Sequence, residues 1–229
     1  MTIDSPSVSS ATRAVREAIV GSADTPVVFD CVRAKGPDGI QFDVWYCNTH
    51  LPALAGEYPM QRVRRYGAPS RASYLAIGEL DEVPTRAQAA DNRTSGVPTM
   101  IEHMERFVGQ PLGTQRRRDA GEDAIDAAVL YPAFLRVPHE RTEELDRWYD
   151  EEHLPMLLSC PQWVMTRRFR ITAARGLEWN HVALHYLSDL RALQSPARDL
   201  ARSTPWRDKL LAQGWFTPEY RVCYRLQDF

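Results

Sequence analysis

"WYCNTHLPAL" at residues 45–54 and "WYDEEHLPML" at residues 148–157 are two copies of one motif. Trp45, Tyr46, His50, Leu51, Pro52 and Leu54 recur as Trp148, Tyr149, His153, Leu154, Pro155 and Leu157, at a constant offset of 153 − 50 = 103. One short motif arises by chance. The same motif twice, near the same place in each half, points to a duplicated unit.

Outward from the motif the halves keep step. "TPVVFDCVRA" (25–34) and "DAAVLYPAFLRV" (126–137) are apolar, β-branched and aromatic runs that read as strands. Each leads through a turn-like segment, "KGPDG" or "PHERTEE", into the motif. There Phe42, Trp45 and Tyr46, and likewise Leu145, Trp148 and Tyr149, fall at helical spacing. Thr142 with the acids behind it marks a helix start, and the proline of each copy predicts a helix end near Leu-Pro. Beyond come "MQRVRRYG" (60–67) and "QWVMTRRFRI" (162–171), where Arg64, Arg65 and Tyr66 match Arg167, Arg168 and Phe169 at the same offset. "SYLAIGEL" (73–80) and "HVALHYL" (181–187) read as the next strands. Helical stretches follow, with His103 placed on one, and "PLGTQRRR" (111–118) and "PEYRVCYRL" (218–226) close each half as a last strand. The basic run "QRRRD" (115–119) reads as a solvated loop between the halves.

Each half is therefore β-α-β-β-α-β, the order of an α+β, ferredoxin-like sheet with both helices on one face. Such a sheet leaves its other face bare, and two of them bury those faces against each other. The expected architecture is an intramolecular dimeric α/β barrel. Its expected parts are an N-terminal arm over 1–25, flexible or a short helix, a first half over 26–120 and a second over 121–229.

Hydrophobic residues make up 44% of the 229 and charged residues 25%, the balance of a globular chain. A net charge of −2 argues against a nucleic-acid or acidic-membrane partner. No apolar run reaches membrane-spanning length, and the N-terminus lacks the basic start and apolar core of a secretory signal. Cys31, Cys47, Cys160 and Cys223 show no zinc spacing and fit reduced thiols in a cytoplasmic protein. With both halves on one chain, the expected state is a monomer with an internal pseudo-dimer, or a homodimer.

"FDVWYCNTHLP" and "LDRWYDEEHLP", each set between a first strand and an Arg-rich second strand, resemble the EthD-like family of dimeric α/β-barrel proteins. The resemblance spans residues 26 to 229, once per half. It implies a pocket between sheet and helices for a small, often aromatic or oxo-substituted compound. The wider superfamily includes muconolactone isomerases, polyketide cyclases and cofactor-independent monooxygenases. A methylmuconolactone isomerase of this group is similar around the helix histidine, at His50 and His153. Its second-strand tyrosine falls at Tyr66, where the second half has Phe169.

His50 and His153 lead the candidates, because imidazole takes and returns a proton near neutral pH, as enolisation, ring closure or lactone isomerisation requires. Their alternative role is a hydrogen bond to a carbonyl at the helix end. Asp43, Tyr46 and His50 share one helix face, as do Asp146, Tyr149 and His153. Each tyrosine can orient its histidine or donate to a developing enolate oxygen. Trp45 and Trp148 read as core residues that also border the pocket. Tyr66 is a pocket acid or an ordinary strand residue. Of Arg64 and Arg65, and of Arg167 and Arg168, one each faces inward, to bind an oxyanion or to form an ion pair. His185 can line the second pocket.

No HxxxH or HxH pair accompanies these residues, and no Gly-rich phosphate loop or GxSxG is present. The expectation is a small-molecule substrate handled without metal, nucleotide or flavin; haem needs only one histidine, and a visible spectrum checks it. Two classes of function follow. One is a cofactor-independent isomerase, cyclase or lyase acting on a small, largely apolar carbonyl, lactone or aromatic compound. The other is a non-catalytic binding or accessory protein, with cofactor-free oxygenation as a further chemistry. Two contrasts place the main reaction in the first half, with His50 as base and Tyr66 as donor. Phe169 replaces Tyr66, and Asp150-Glu151-Glu152 is expected to raise the pKa of His153.

Overall fold

Strand β2 (Val27–Ala34) is buried along nearly its whole length. A strand covered on both faces has no reason to alternate apolar and polar residues, so "VVFDCV" reads as one apolar run with a single acid inside it. The computed structural model describes residues 19–22, 25–35, 39–68, 73–84, 99–173 and 179–226. After β1 (Ile19–Ser22) and β2 come helix α1 (Gly39–Trp45), a π-helical turn (Tyr46–His50) and α2 (Leu51–Glu57). Then follow β3 (Met60–Ala68), β4 (Ser73–Leu80) and the long β5 (Ile101–Arg117). The second half runs β6 (Val129–Leu135), α3 (Thr142–Trp148), a π-helical turn (Tyr149–His153), α4 (Leu154–Leu158), β7 (Trp163–Ala173) and β8 (His181–Leu187). It closes with α5 (Pro196–Ala201), α6 (Pro205–Ala212), β9 (Glu219–Tyr220) and β10 (Cys223–Arg225).

All pairings are antiparallel, and the main path runs β5-β2-β4-β3-β10-β6-β8-β7, with β7 returning to β5. That closes a barrel of eight strands. Within each half the last strand lies beside the first: β5 pairs β2, and β9 and β10 pair β6. Each last strand also crosses to the other half, β5 to β7 and β10 to β3. The antiparallel dimeric α/β barrel expected from the sequence is the observed fold. Closure leaves neither half with a bare sheet face or a free edge at the junctions.

The pleat sorts side chains into two layers. Phe29, Tyr66, Phe107, Phe134, Phe169 and Tyr186 fill the barrel, with Phe29 stacked on Phe107 at 4.7 Å. On the helix side, Phe42, Tyr46 and Leu54 cover the first half, and Leu145, Trp148, Leu157 and Trp163 cover the second. The link between halves is not a loose loop. A 3-10 turn, Glu122–Asp126, sets Ala124 and Ile125 into the barrel core.

Several expectations need correction. The helices do not stop at Leu-Pro; they continue through Pro52 to Glu57 and through Pro155 to Leu158. Each proline falls at the start of a new α segment just after a π-helical turn, where the wider turn accommodates a residue with no N–H to give. His103 lies on β5, paired with Arg33, not on a helix. Gln115 and Arg116 of the basic run are ladder residues that pair with β1 and β7. Ile19–Ser22, assigned to the arm, form a strand on β5. Residues 1–18 of the expected arm lie outside the described residues, as do residues 85–98 of the helical stretch expected after β4. Among the described residues no helix is long and apolar enough to cross a membrane.

Candidate functional site

The two π-helical turns carry the motif. In each, the amide that follows the histidine reaches back five residues: Leu51 N–H donates to the Tyr46 carbonyl, and Leu154 N–H to the Tyr149 carbonyl. Five residues along an α-helix lie roughly 140° apart. The wider turn instead brings Trp45 near His50 (4.9 Å between ring centres) and Trp148 over His153 (4.1 Å, stacked). Each histidine is thus pressed between helix and sheet beside an aromatic wall.

In the first half His50 meets Asp30. The His50 Nε2 lies 2.8 Å from Asp30 Oδ2, and the Tyr46 hydroxyl donates to the same oxygen at 2.7 Å. The other oxygen, Oδ1, accepts no hydrogen bond and faces Arg106 Nε at 3.5 Å. Asp30 is 1% exposed and His50 8%, so the pair is buried, with His50 its more open member. Burial alone would raise the Asp30 pKa, but the His50 hydrogen bond and charge, with Arg106 and Tyr46, hold it below the usual carboxylate value. An ionised Asp30 accepts and cannot donate. It therefore fixes the proton of neutral His50 on Nε2 and leaves Nδ1 as the basic nitrogen. Burial, together with the charge and hydrogen bond of Asp30, raises the Tyr46 hydroxyl well above its ordinary pKa, so it remains a donor to Asp30.

The second half replaces the acid. Asp30 pairs with Ala76 and Arg106 across the sheet, whereas Ala133, at 30 + 103, pairs with Ala183 and Tyr220. With no carboxylate to meet, the His153 Nδ1 donates to the Ala201 carbonyl at 3.3 Å. That is the carbonyl-binding role weighed from sequence, although the carbonyl belongs to α5. Trp163 Nε1 donates to His185 Nδ1 at 3.3 Å, and Thr166 Oγ1 lies 3.0 Å from the same nitrogen, which places the His185 proton on Nε2. Burial, followed by His185, holds His153 well below its ordinary pKa, and burial lowers His185 to about 3. The acidic run does not raise His153. Asp150 bonds Arg168 at 2.8 Å, Glu151 sits near Arg147 at 3.5 Å, and Glu152 accepts from Trp148 and Thr204.

The remaining candidates divide by face. Arg65 pairs with Asp43 at 2.6 Å and lies over the Tyr46 ring at 5.1 Å; Arg168 pairs with Asp146 at 2.7 Å and lies over the Tyr149 ring at 5.1 Å. These two ion pairs brace the helices on the sheet. Arg64 and Arg167 point into the barrel and share Glu79, at 3.1 and 3.4 Å. Tyr66 points there too, its hydroxyl 3.5 Å from the Ile125 carbonyl. It is on the opposite face of the sheet from Asp30 and His50, so the structure does not bring Tyr66 to His50. Trp148 is a core residue and Trp45 is half-buried. His185 joins His153 at a small cavity.

A separate cavity of about 390 Å³ opens at the barrel mouth, lined by Cys31, Arg33, His103, Glu105, Trp179 and Arg221 among others. None of the helix histidines reaches it. No group of three or more metal-ligating side chains occurs among the described residues.

Sequence reasoning missed Asp30. Its signal was an acid inside a strand otherwise made of Val, Phe and Cys, a position where a carboxylate is costly unless partnered.

No family model matches the chain, and no curated protein matches it in sequence. Solved structures do share the fold. A protein described as anthrone oxidase-like superposes with a TM-score of 0.60 at 13% identity, over 91% of this chain and 94% of that one. A ferredoxin-fold protein related to antibiotic biosynthesis monooxygenases, from Listeria monocytogenes 4b F2365, gives 0.50 at 10% identity, over 90% and 97%. A mutant chlorite dismutase from Candidatus Nitrospira defluvii, in complex with cyanide, gives 0.52 at 7% identity, over 90% and 92%. The chain has the ferredoxin-like, dimeric α/β-barrel fold of these proteins.

Proposed function

We propose that the first half is an acid–base site at which His50 moves a proton on a small, largely apolar carbonyl or lactone. The observation that carries this reading is the buried Asp30–His50 pair, with Tyr46 on the same carboxylate oxygen. Asp30 orients the ring, offers Nδ1 to the substrate and stabilises the imidazolium that forms. Arg106 and Tyr46 keep Asp30 ionised while this happens. The proton taken from a carbon beside the carbonyl is then returned at another position (isomerisation) or to a leaving group or ring oxygen (elimination or cyclisation). His50, Asp30 and Tyr46 suffice for these proton transfers, so the proposed reaction uses no cofactor. Cofactor-free oxygenation would begin with the same deprotonation and diverge when oxygen is supplied. We read the two halves, 26–120 and 121–229, as a tandem duplication of an EthD-like unit in a cytoplasmic protein.

The test is solvent deuterium exchange at the carbon beside the carbonyl, followed by NMR across aryl ketones and unsaturated lactones without oxygen. The expected result is exchange by the native protein that falls about a hundredfold in His50→Ala and in Asp30→Asn, the size of a general-base contribution. Exchange at the native rate in His50→Ala would overturn the assignment. A protein that binds these compounds without exchanging them would be the binding module instead.

A further inference from the structure

The second half holds a pocket with a different electrical character. Its cavity of about 20 Å³, room for one water-sized group, is lined by Tyr131, His153, Trp163, His185, Arg198 and Arg202, with Leu157 and Tyr220. Arg207 lies beside it, 9% exposed, its guanidinium donating to the Arg202 carbonyl at 3.1 Å and also bonding Tyr220.

The arginines set this pocket apart. Every other buried arginine has a carboxylate within ion-pair distance: Arg64 and Arg167 share Glu79, Arg65 has Asp43, and Arg168 has Asp146. Of the arginines at this pocket Arg207 is buried, Arg198 half-buried and Arg202 exposed, and none has a carboxylate within ion-pair distance among the described residues. The Arg207 guanidinium, taken out of water without a counter-charge, is a cost to the fold, and an anion placed beside it and the two more open arginines relieves that cost. The polar lining points the same way. The His185 Nε2–H donates, both tyrosine hydroxyls can donate, and no carboxylate lines the space.

We propose that this pocket takes one oxygen of a small oxyanion, such as the carboxylate of a substrate or effector, against the His153–His185 pair, with the rest of the anion at its mouth between Arg198 and Arg202. The charge-assisted bonds are those a guanidinium makes to a carboxylate. His153 is the element that responds. Burial and the neighbouring cations keep it neutral, and an anion beside it favours proton uptake at Nε2. This site does not depend on the acid–base reading of the first half.

The test is NMR of the histidine rings in the full-length protein, titrated with formate, with acetate and with neutral acetamide, at an ionic strength held by the bulky HEPES anion. Formate and acetate are expected to shift the His153 and His185 signals saturably, and acetamide is expected to leave them in place. The double substitution Arg198→Gln with Arg202→Gln should weaken acetate binding at least tenfold at an unchanged Tm, since Arg202 is exposed and Arg198 half-buried. Asp30→Asn should leave it unaltered. Native-strength acetate binding in the double variant, equal shifts from acetamide, or rings unmoved by either anion would overturn the proposal.

Discussion

The two half-barrels share a backbone plan and a motif, and they differ at the side chain that faces the histidine. In the first half Asp30 meets His50; in the second the matching position is Ala133 and the histidine turns to a backbone carbonyl. The bracing ion pairs, Asp43–Arg65 and Asp146–Arg168, are the same in both. The part of the motif that positions a helix is therefore common to both halves, while the partner of the imidazole is not. A motif histidine has no fixed chemistry. Its neighbour across the sheet decides.

The largest effect expected from breaking this contrast is on stability. Asp30→Ala removes the acceptor of His50 and Tyr46 and the 3.5 Å partner of Arg106. Deleting one member of a buried charged cluster costs about 3–5 kcal/mol, readable by urea unfolding. Ala133→Asp adds a carboxylate at a fully buried position in the half whose motif histidine is already bonded to the Ala201 carbonyl, so it should destabilise too rather than build a second dyad. A stable Ala133→Asp protein with an active second site would show that the halves are interchangeable.

The next effect is on turnover. His50→Ala should cost about a hundredfold, roughly 2.7 kcal/mol, and His153→Ala less than threefold. Equal losses would erase the distinction between the halves.

Acid should separate the halves as well. His153, His181 and His185 all have folded pKa values below their ordinary one, to about 4 for His181 and about 3 for His185. The unfolded chain takes up protons that these folded residues refuse. Their contribution is thus complete above the unfolded value, about pH 6.5, and is lost as pH falls towards each folded value. Each contributes about 1.4 kcal/mol per pH unit in that window. Asp30, also lowered, has the same sign but acts only below its unfolded pKa, about pH 4. Hydrogen exchange between pH 6.5 and pH 4.5 should therefore show the second half opening first, and His185→Gln should flatten the slope.

The smallest effect is at Tyr66. The hydroxyl lies inside the barrel with one long contact to Ile125, so Tyr66→Phe should change turnover less than threefold and stability by about 1 kcal/mol. A hundredfold loss would mean that the reaction lies in the barrel rather than under the helices.

The fold was legible because the repeat doubled every signal: two apolar first strands, two Trp-Tyr helices and two Arg-rich second strands in one order. The site was legible only along the chain. Tyr46 and His50 sit in the motif, but Asp30 is 16 and 20 residues away and meets them only once β2 is covered by the helix. Tyr66 was misplaced by treating strand neighbours as pocket neighbours. Alternation puts Arg65 under the helix and Tyr66 in the barrel, and the register aligning Tyr66 with Leu75 agrees. The arginines of α5 and α6, which meet no carboxylate among the described residues, had no local signature, since only tertiary packing shows which charges face one another.

The central claim, that a carboxylate governs one histidine and a backbone carbonyl the other, is tested most directly by the ring nitrogens. In proton–nitrogen correlation spectra the His50 proton that meets Asp30 should sit on Nε2, and its signal should change in Asp30→Asn. His153 should carry its proton on Nδ1, titrate well below the ordinary histidine value and be indifferent to Asp30→Asn. A His153 that titrates near pH 6.5, or a His50 carrying its proton on Nδ1 and blind to Asp30→Asn, would contradict the account.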